Sequence, residues 1–289
     1  MNVAEVIARG AKALAAAGVE SPQLESEWLL AHVLAVPRMT LVVAGARREV
    51  VAGELGAFEN LVAARATRRP LQHLVGSVSF CGLELVVNSH VLIPRPETEL
   101  LAERAWEFVR TLATPERAPV VLDFGTGSGC LAIAVAVKCP KALVHAVDVS
   151  AEALAVAREN AARNGVAAGV CFYLGDGFTA LPRGLRFDLV VSNPPYIPTG
   201  ELAVLQPEVR EHEPRLALDG GADGLDFYRR LAAEAHGFLQ PHGRMMLEFG
   251  DGQGAALREI FGVAPWRVEA VFPDWSGRER ILIAALAGA

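Results

Sequence analysis

From Pro119 onward, short apolar runs alternate with segments of helical period. That alternation restricts the fold to a mostly parallel sheet covered by helices on both faces. Strands are expected at about 119–124, 142–148, 169–174, 186–192, 243–249, 267–272 and 279–286, and helices at about 128–138, 151–164, 224–238 and 252–262. The fold class is therefore α/β with seven strands. Ligands of open α/β sheets bind beyond the carboxyl ends of the strands, so the residues that close each strand are the ones to weigh for function.

The chain ahead of that pattern has a different period. Residues 1–72 predict a small helical domain, with Val3, Val6, Ile7, Ala11 and Leu14 on one helix that stops at Gly18. Ser21 and Pro22 supply an N-cap and a first-turn proline for a second helix, whose Leu24, Trp28, Leu29 and Val33 line one face. A third runs from about Val51 to Arg68. Residues 73–93 predict a β-hairpin linker around Cys81-Gly82, and 94–289 form the α/β domain, opened by a helix from Pro96 with Glu97, Thr98 and Glu99 in its first turn. The helical domain carries no evident chemistry, which suits packing or partner docking. The stretch 197–223, with three prolines and the run Asp219-Gly220-Gly221-Ala222-Asp223-Gly224, predicts a long functional loop.

Composition excludes several classes. A hydrophobic fraction of 52% and a charged fraction of 21% describe a chain able to bury a large core. The net charge of −6 disfavours direct nucleic-acid binding, and Arg65, Arg68 and Arg69 suit a solvated helix end. Cys81, Cys130, Cys139 and Cys171 sit among apolar neighbours without C-x-x-C spacing, and His73, His90, His212 and His242 are scattered, so no metal is expected. No basic, apolar leader and no run of about 18 apolar residues is present, which together with unpaired cysteines predicts a cytoplasmic protein without a membrane span.

The first strand runs into Gly125-Thr126-Gly127-Ser128-Gly129, where the third glycine falls one residue short of a dinucleotide fingerprint. That spacing disfavours a pyrophosphate and suits an adenosyl ligand. Asp148 closes the second strand, 19 residues after Gly129, as a ribose acceptor or a helix cap. Asp176, Gly177 and Phe178 follow the third strand, where the carboxylate could accept from an adenine amino group and the ring could cover a base, unless Asp176 is only a turn residue. The fourth strand ends in Asn193-Pro194-Pro195-Tyr196. A planar amide or amino nitrogen is a poor nucleophile, and to attack a sulfonium methyl it needs both hydrogens held and its face fixed. Asn193 Oδ1 and the Pro194 carbonyl supply two acceptors, Tyr196 a stacking ring, and the prolines stiffness.

With the glycine turn upstream, this tetrapeptide resembles that of class I amino-group methyltransferases. Arg69-Pro70-Leu71-Gln72-His73-Leu74-Val75-Gly76, Ile93-Pro94-Arg95-Pro96-Glu97-Thr98-Glu99 and Leu218-Asp219-Gly220-Gly221-Ala222-Asp223-Gly224 extend the resemblance to the peptide chain release factor glutamine N5-methyltransferase family, over nearly the whole chain. The resemblance implies a Rossmann-like seven-stranded domain whose last strand pairs antiparallel, after a helical domain that helps dock the release factor. It implies S-adenosylmethionine held by Gly125 through Gly129, Asp148, Asp176 through Phe178 and Asn193. As substrate it implies the glutamine of a Gly-Gly-Gln loop, held by Asn193, Pro194, Pro195 and Tyr196. The family often has a bulky aromatic where Gly177 stands, a role Phe178 could fill. A ribosomal-protein glutamine, adenine-N6 methylation and a cofactor-binding scaffold are the competing expectations.

Overall fold

The computed structural model describes residues 1–44 and 48–288; residues 45–47 and Ala289, the last residue of the predicted α/β domain, lie outside it. The chain divides into two compact units, one of residues 1–77 with 205–212, the other of 78–204 with 213–289.

In the first unit, helices α1 (Val3–Ala16), α2 (Pro22–Val33), α3 (Arg38–Ala44), α4 (Ala52–Ala66) and α5 (Leu71–Val75) enclose Val6, Leu14, Leu29, Leu30, Phe58 and Val62. Pro22 opens α2 as expected, but the Ser21 side chain makes no cap hydrogen bond. The buried side of α2 is Ser26, Leu29, Leu30 and Ala31, while Leu24 and Trp28 are exposed. Ser26 is admitted to the core because its hydroxyl donates to the Ile7 carbonyl at 2.8 Å, and Trp28 instead lies under the Arg38 guanidinium. The short α3 and α5 were not foreseen.

The predicted loop 197–223 is not structureless. It holds 3-10 turns at Thr199–Val204 and Arg215–Ala217 and helix α9 (Pro207–His212), and α9 belongs to the first unit. There Glu208 meets Arg65 at 2.9 Å and Arg68 at 2.6 Å. Arg65, only 4% exposed and also paired with Glu25, is therefore a buried ion-pair residue and not a solvated helix end.

The second unit begins with strands β1 (Ser77–Phe80) and β2 (Leu83–Val86), then α6 (Pro96–Leu112), with Pro96 in its first turn. A single sheet follows from β3 (Val120–Phe124), β4 (Leu143–Asp148), β5 (Val170–Leu174), β6 (Phe187–Ser192), β7 (Leu239–Glu248), β8 (Trp266–Pro273) and β9 (Glu279–Leu286). Its order is β5-β4-β3-β6-β7-β9-β8, parallel except for β9, which pairs antiparallel with β7 and β8.

Successive strand residues point to opposite faces. Val121, Val144, Leu189 and Met246 pack under Leu101, Leu131 and Val135 of α6 and α7 (Cys130–Lys138). Leu122, Val190, Met245 and Leu247 pack under Tyr228, Leu231, Leu257 and Phe261 of α10 (Asp226–Glu234) and α11 (Gly254–Phe261). Helix α8 (Ala151–Arg163) follows β4. Burial on both faces is why these strands appear as unbroken apolar runs. The strand order reverses between β3 and β6, so the crevice opens where these two end side by side.

Candidate active site

Beyond the carboxyl ends of β3 to β6 lies a cavity, and Gly125, Thr126, Gly127, Ser128, Asp148, Asp176, Gly177, Asn193 and Pro195 all line it. The other predicted site residues stand behind it. Gly129 starts α7, and a Cβ there would meet Ile133 at 2.9 Å and Ala157 at 3.1 Å, so this glycine serves helix packing. Pro194 is buried.

The glycine turn is pinned by Asp148. One carboxylate oxygen accepts from the Gly127 amide at 2.8 Å and the other from the Ser150 amide at 2.9 Å, leaving each with lone-pair capacity toward the cavity. The cap of α8 is Ser150, which accepts from the Ala153 amide at 3.0 Å. Asp123, at 1% exposure, accepts from the Thr126 hydroxyl at 2.6 Å and the Ala132 amide at 3.1 Å through one oxygen, while Oδ1 has no partner. Burial pushes this carboxyl up to about 7 against the pull of those two donors.

Two expectations on the β5 side need correction. Phe178 does not line the cavity: its ring, 3% exposed, stacks 4.6 Å from Phe238 and lies 5.0 Å from Phe124 in the core. The aromatic that does line the cavity is Phe227, on α10. Asp176 lines it too, but its carboxylate is held at 2.5 Å by Arg230, another lining residue. The space at Gly177 is filled by the Phe124 ring and the Arg230 guanidinium, each within 2.9 Å of where a Cβ would be. A bulky residue there is excluded by its neighbours.

At the end of β6, Asn193 Nδ2 donates to the Thr98 hydroxyl at 3.1 Å, and Asn193 Oδ1, buried at the cavity wall, has no partner. An unsatisfied buried acceptor costs stability unless something else fills it. The Tyr196 ring does not line the cavity; it packs against the core, its carbonyl accepts from Gln253 Nε2 at 2.9 Å, and its phenol is pushed up to about 12 by burial and by Glu248. His90, Leu92 and Pro94 of one segment and Pro214, Leu216 and Ala217 of another also line the cavity. They are tied by Arg95, whose Nη2 meets both Glu213 oxygens at 2.7 and 2.9 Å.

Thr98, Glu213, Phe227 and Arg230 were not singled out as site residues. Only Thr98 lay within a recognisable motif; the others sit at positions that spacing treats as ordinary helix or loop. Cys171 is exposed and all four cysteines are free. No described helix is long and apolar enough to cross a membrane.

Residues 107–222 match the family described as Methyltransferase small domain, and residues 5–76 match the one described as PrmC N-terminal domain. The release factor glutamine methyltransferase of Moorella thermoacetica is 42% identical over 285 residues, covering 98% of both chains. The protein of the same name from Geobacter sulfurreducens is 48% identical over 248 residues, 86% of this chain and 84% of that one. Among solved structures, the hMettl16 catalytic domain in complex with MAT2A 3'UTR hairpin 1 superposes with a TM-score of 0.56 at 17% identity, over 79% of this chain and 82% of that one. A methyltransferase from Pyrococcus furiosus gives 0.50 at 22% identity, over 71% and 90%. At such identities the structural likeness speaks for the fold alone.

Proposed function

The chain belongs to the release factor glutamine methyltransferase family and is a methyltransferase, and on that premise we propose that it methylates the side-chain amide nitrogen, N5, of the glutamine in the Gly-Gly-Gln motif of bacterial peptide chain release factors. The methyl donor is S-adenosylmethionine, which supplies an electrophilic methyl group on a positively charged sulfur. The observation that carries this reading is Asn193 Oδ1, a buried acceptor left without a partner at the cavity.

The residues present fit that donor. A Cβ at Gly125 or Gly127 would meet no protein atom, so both glycines leave open space against bare backbone, where a ligand can lie close. Asp148 holds ribose hydroxyls with its remaining lone pairs, Asp123 Oδ1 offers a buried acceptor, and Phe227 covers an apolar face. Gly125 through Ser128, Asp176 and Gly177 shape the remainder.

For the glutamine, Asn193 Oδ1 accepts one amide hydrogen, which draws the nitrogen to the cavity wall beside the methyl group. The stiff Pro194-Pro195 turn arrives in that geometry without reorganising, so positioning and a polar-lined, water-poor site do the catalytic work. Residues 1–72 dock the release factor, a cytoplasmic partner, and 73–93 link them to the catalytic domain.

The test is transfer of labelled methyl from S-adenosylmethionine to a purified release factor, to its Gly-Gly-Ala variant, to ribosomal proteins and to duplex DNA. Label on the intact release factor and not on the variant is the expected result. Label on ribosomal protein or DNA alone reassigns the substrate, and no transfer at all leaves a cofactor-binding scaffold.

A further inference from the structure

Two prolines in a row fix φ twice but carry no N–H, so the turn that follows Asn193 has no donor of its own at either position. Its ψ angles depend on what grips it at each end. The near end is fixed by the sheet: Ser192, fully buried at the end of β6, donates through Oγ to the Phe124 carbonyl at 2.6 Å. At the far end the first residue past the prolines is Tyr196, and its carbonyl is held by Gln253.

Gln253 precedes α11, whose Leu257 and Phe261 are fully buried, so its backbone is anchored in the core. Its side-chain amide joins three stretches of main chain. Oε1 accepts from the Gly250 amide at 2.9 Å, just beyond β7 and its fully buried last residue, Glu248. Nε2 donates to the Tyr196 carbonyl at 2.9 Å and, less closely, to the Gly224 carbonyl at 3.4 Å, ahead of α10. These partners settle the direction of the amide, because a backbone N–H can only donate and a carbonyl only accept. Space is cleared for it on both sides: a Cβ at Gly250 would stand 2.9 Å from Oε1, and one at Gly224 2.7 Å from Nε2. Gln253 does not line the cavity, so any effect on the reaction passes through the turn.

We propose that Gln253 is a positioning residue for methyl transfer: its amide splints the Tyr196 carbonyl to the Gly250 amide, which sets the Pro194-Pro195 backbone and with it the place of Asn193 Oδ1. The proposal rests on the reading that Asn193 holds the glutamine. The half that serves catalysis is the donor Nε2, while the acceptor Oε1 serves the approach to α11.

The experiment uses Gln253→Glu, which is nearly isosteric, keeps an acceptor for Gly250 and replaces the donor by an oxygen facing two carbonyls. Turnover and KM on the release factor are measured from about pH 6 to about pH 9, with cofactor affinity by calorimetry, at a temperature where both proteins are folded. Expected at about pH 8 is a kcat about tenfold or more below wild type, with KM and cofactor affinity little changed. Against two carbonyls the introduced carboxyl holds its proton to higher pH than an ordinary glutamate, and once protonated it donates to Tyr196. The ratio of variant to wild-type kcat therefore rises as pH falls. A ratio near one throughout, a lowered ratio that is flat with pH, or a loss of cofactor affinity as large as the loss of kcat overturns the proposal. Should Gln253→Glu not fold, Gln253→Met, neutral and of similar length, must show the loss of kcat, and full turnover overturns the proposal again. A wild type that methylates no glutamine overturns the reading of Asn193 and the proposal with it, whereas an active wild type beside an unaffected variant removes the proposal alone.

Discussion

Asn193 and Glu248 illustrate opposite uses of burial. An acceptor held without a partner is pre-organised for the amide that will fill it, and the gain appears only when that amide arrives. Asn193→Ala should therefore lower turnover on the release factor by roughly 10²–10³-fold with cofactor affinity little changed; near-full turnover would sink its assigned role. Glu248 carries a cost that follows pH. Its folded-state value lies at about 7 against an ordinary 4.5, so the folded protein holds the proton more tightly than the unfolded chain. Stability is then undiminished by this group below about pH 4.5, falls as pH rises toward 7, and levels off above. Glu248→Gln should be more stable than wild type at pH 8 and match it near pH 4.5, as read by chemical denaturation. A gain of the same size at both values would contradict the ionisation argument.

The glycine-rich run after Leu218 acts as a backing plate for the catalytic turn. Gly220 and Ile197 pair through a hydrogen bond of 2.9 Å, and a Cβ at Gly220 would come within 2.8 Å of the Pro195 carbonyl. Gly224 is tighter: its φ is +76°, and a Cβ would stand 2.3 Å from the Tyr196 carbonyl, the atom that Gln253 also holds. Gly224→Ala should cost about 1–3 kcal/mol and displace the Pro195-Tyr196 backbone, with turnover falling on the order of 10²-fold; a crystal structure with that turn unmoved would refute the cause.

The strands and the Asn193 turn were legible in advance because two-sided burial writes unbroken apolar runs and the turn has a fixed composition. Phe178 was misplaced because its apolar ring suits a core as well as a ligand face, and spacing carries no direction after a glycine at φ +59°. Helix α2 was misread for a related reason. Apolar residues surround it, so period alone could not tell Leu29 and Leu30 from Trp28.

At the scale of the molecule, the helical unit depends on a segment 128 residues beyond its first stretch, from Ser77 to Leu205. Glu208 would be raised by burial, yet its hydrogen bonds from Arg68 and Arg65 outweigh this and hold it at about 2 against an ordinary 4.5. Its contribution to stability is present above about pH 4.5 and lost as pH falls toward 2. Glu208→Gln should destabilise the helical unit by about 2 kcal/mol at neutral pH, and the deficit should shrink below about pH 4.5 and close as pH falls to about 2, read as amide exchange in α1, α2 and α4. A deficit that persists there would mean that packing, not charge, is responsible.

The return of α9 to the first unit also sets an order of events during synthesis. A protein made from its N-terminus usually completes its leading domain first. Here Arg65 waits for Glu208 until the ribosome has released residue 212, by which time β3, β4, β5 and β6 have all been made. The part of the protein that starts to fold first cannot be the first to finish.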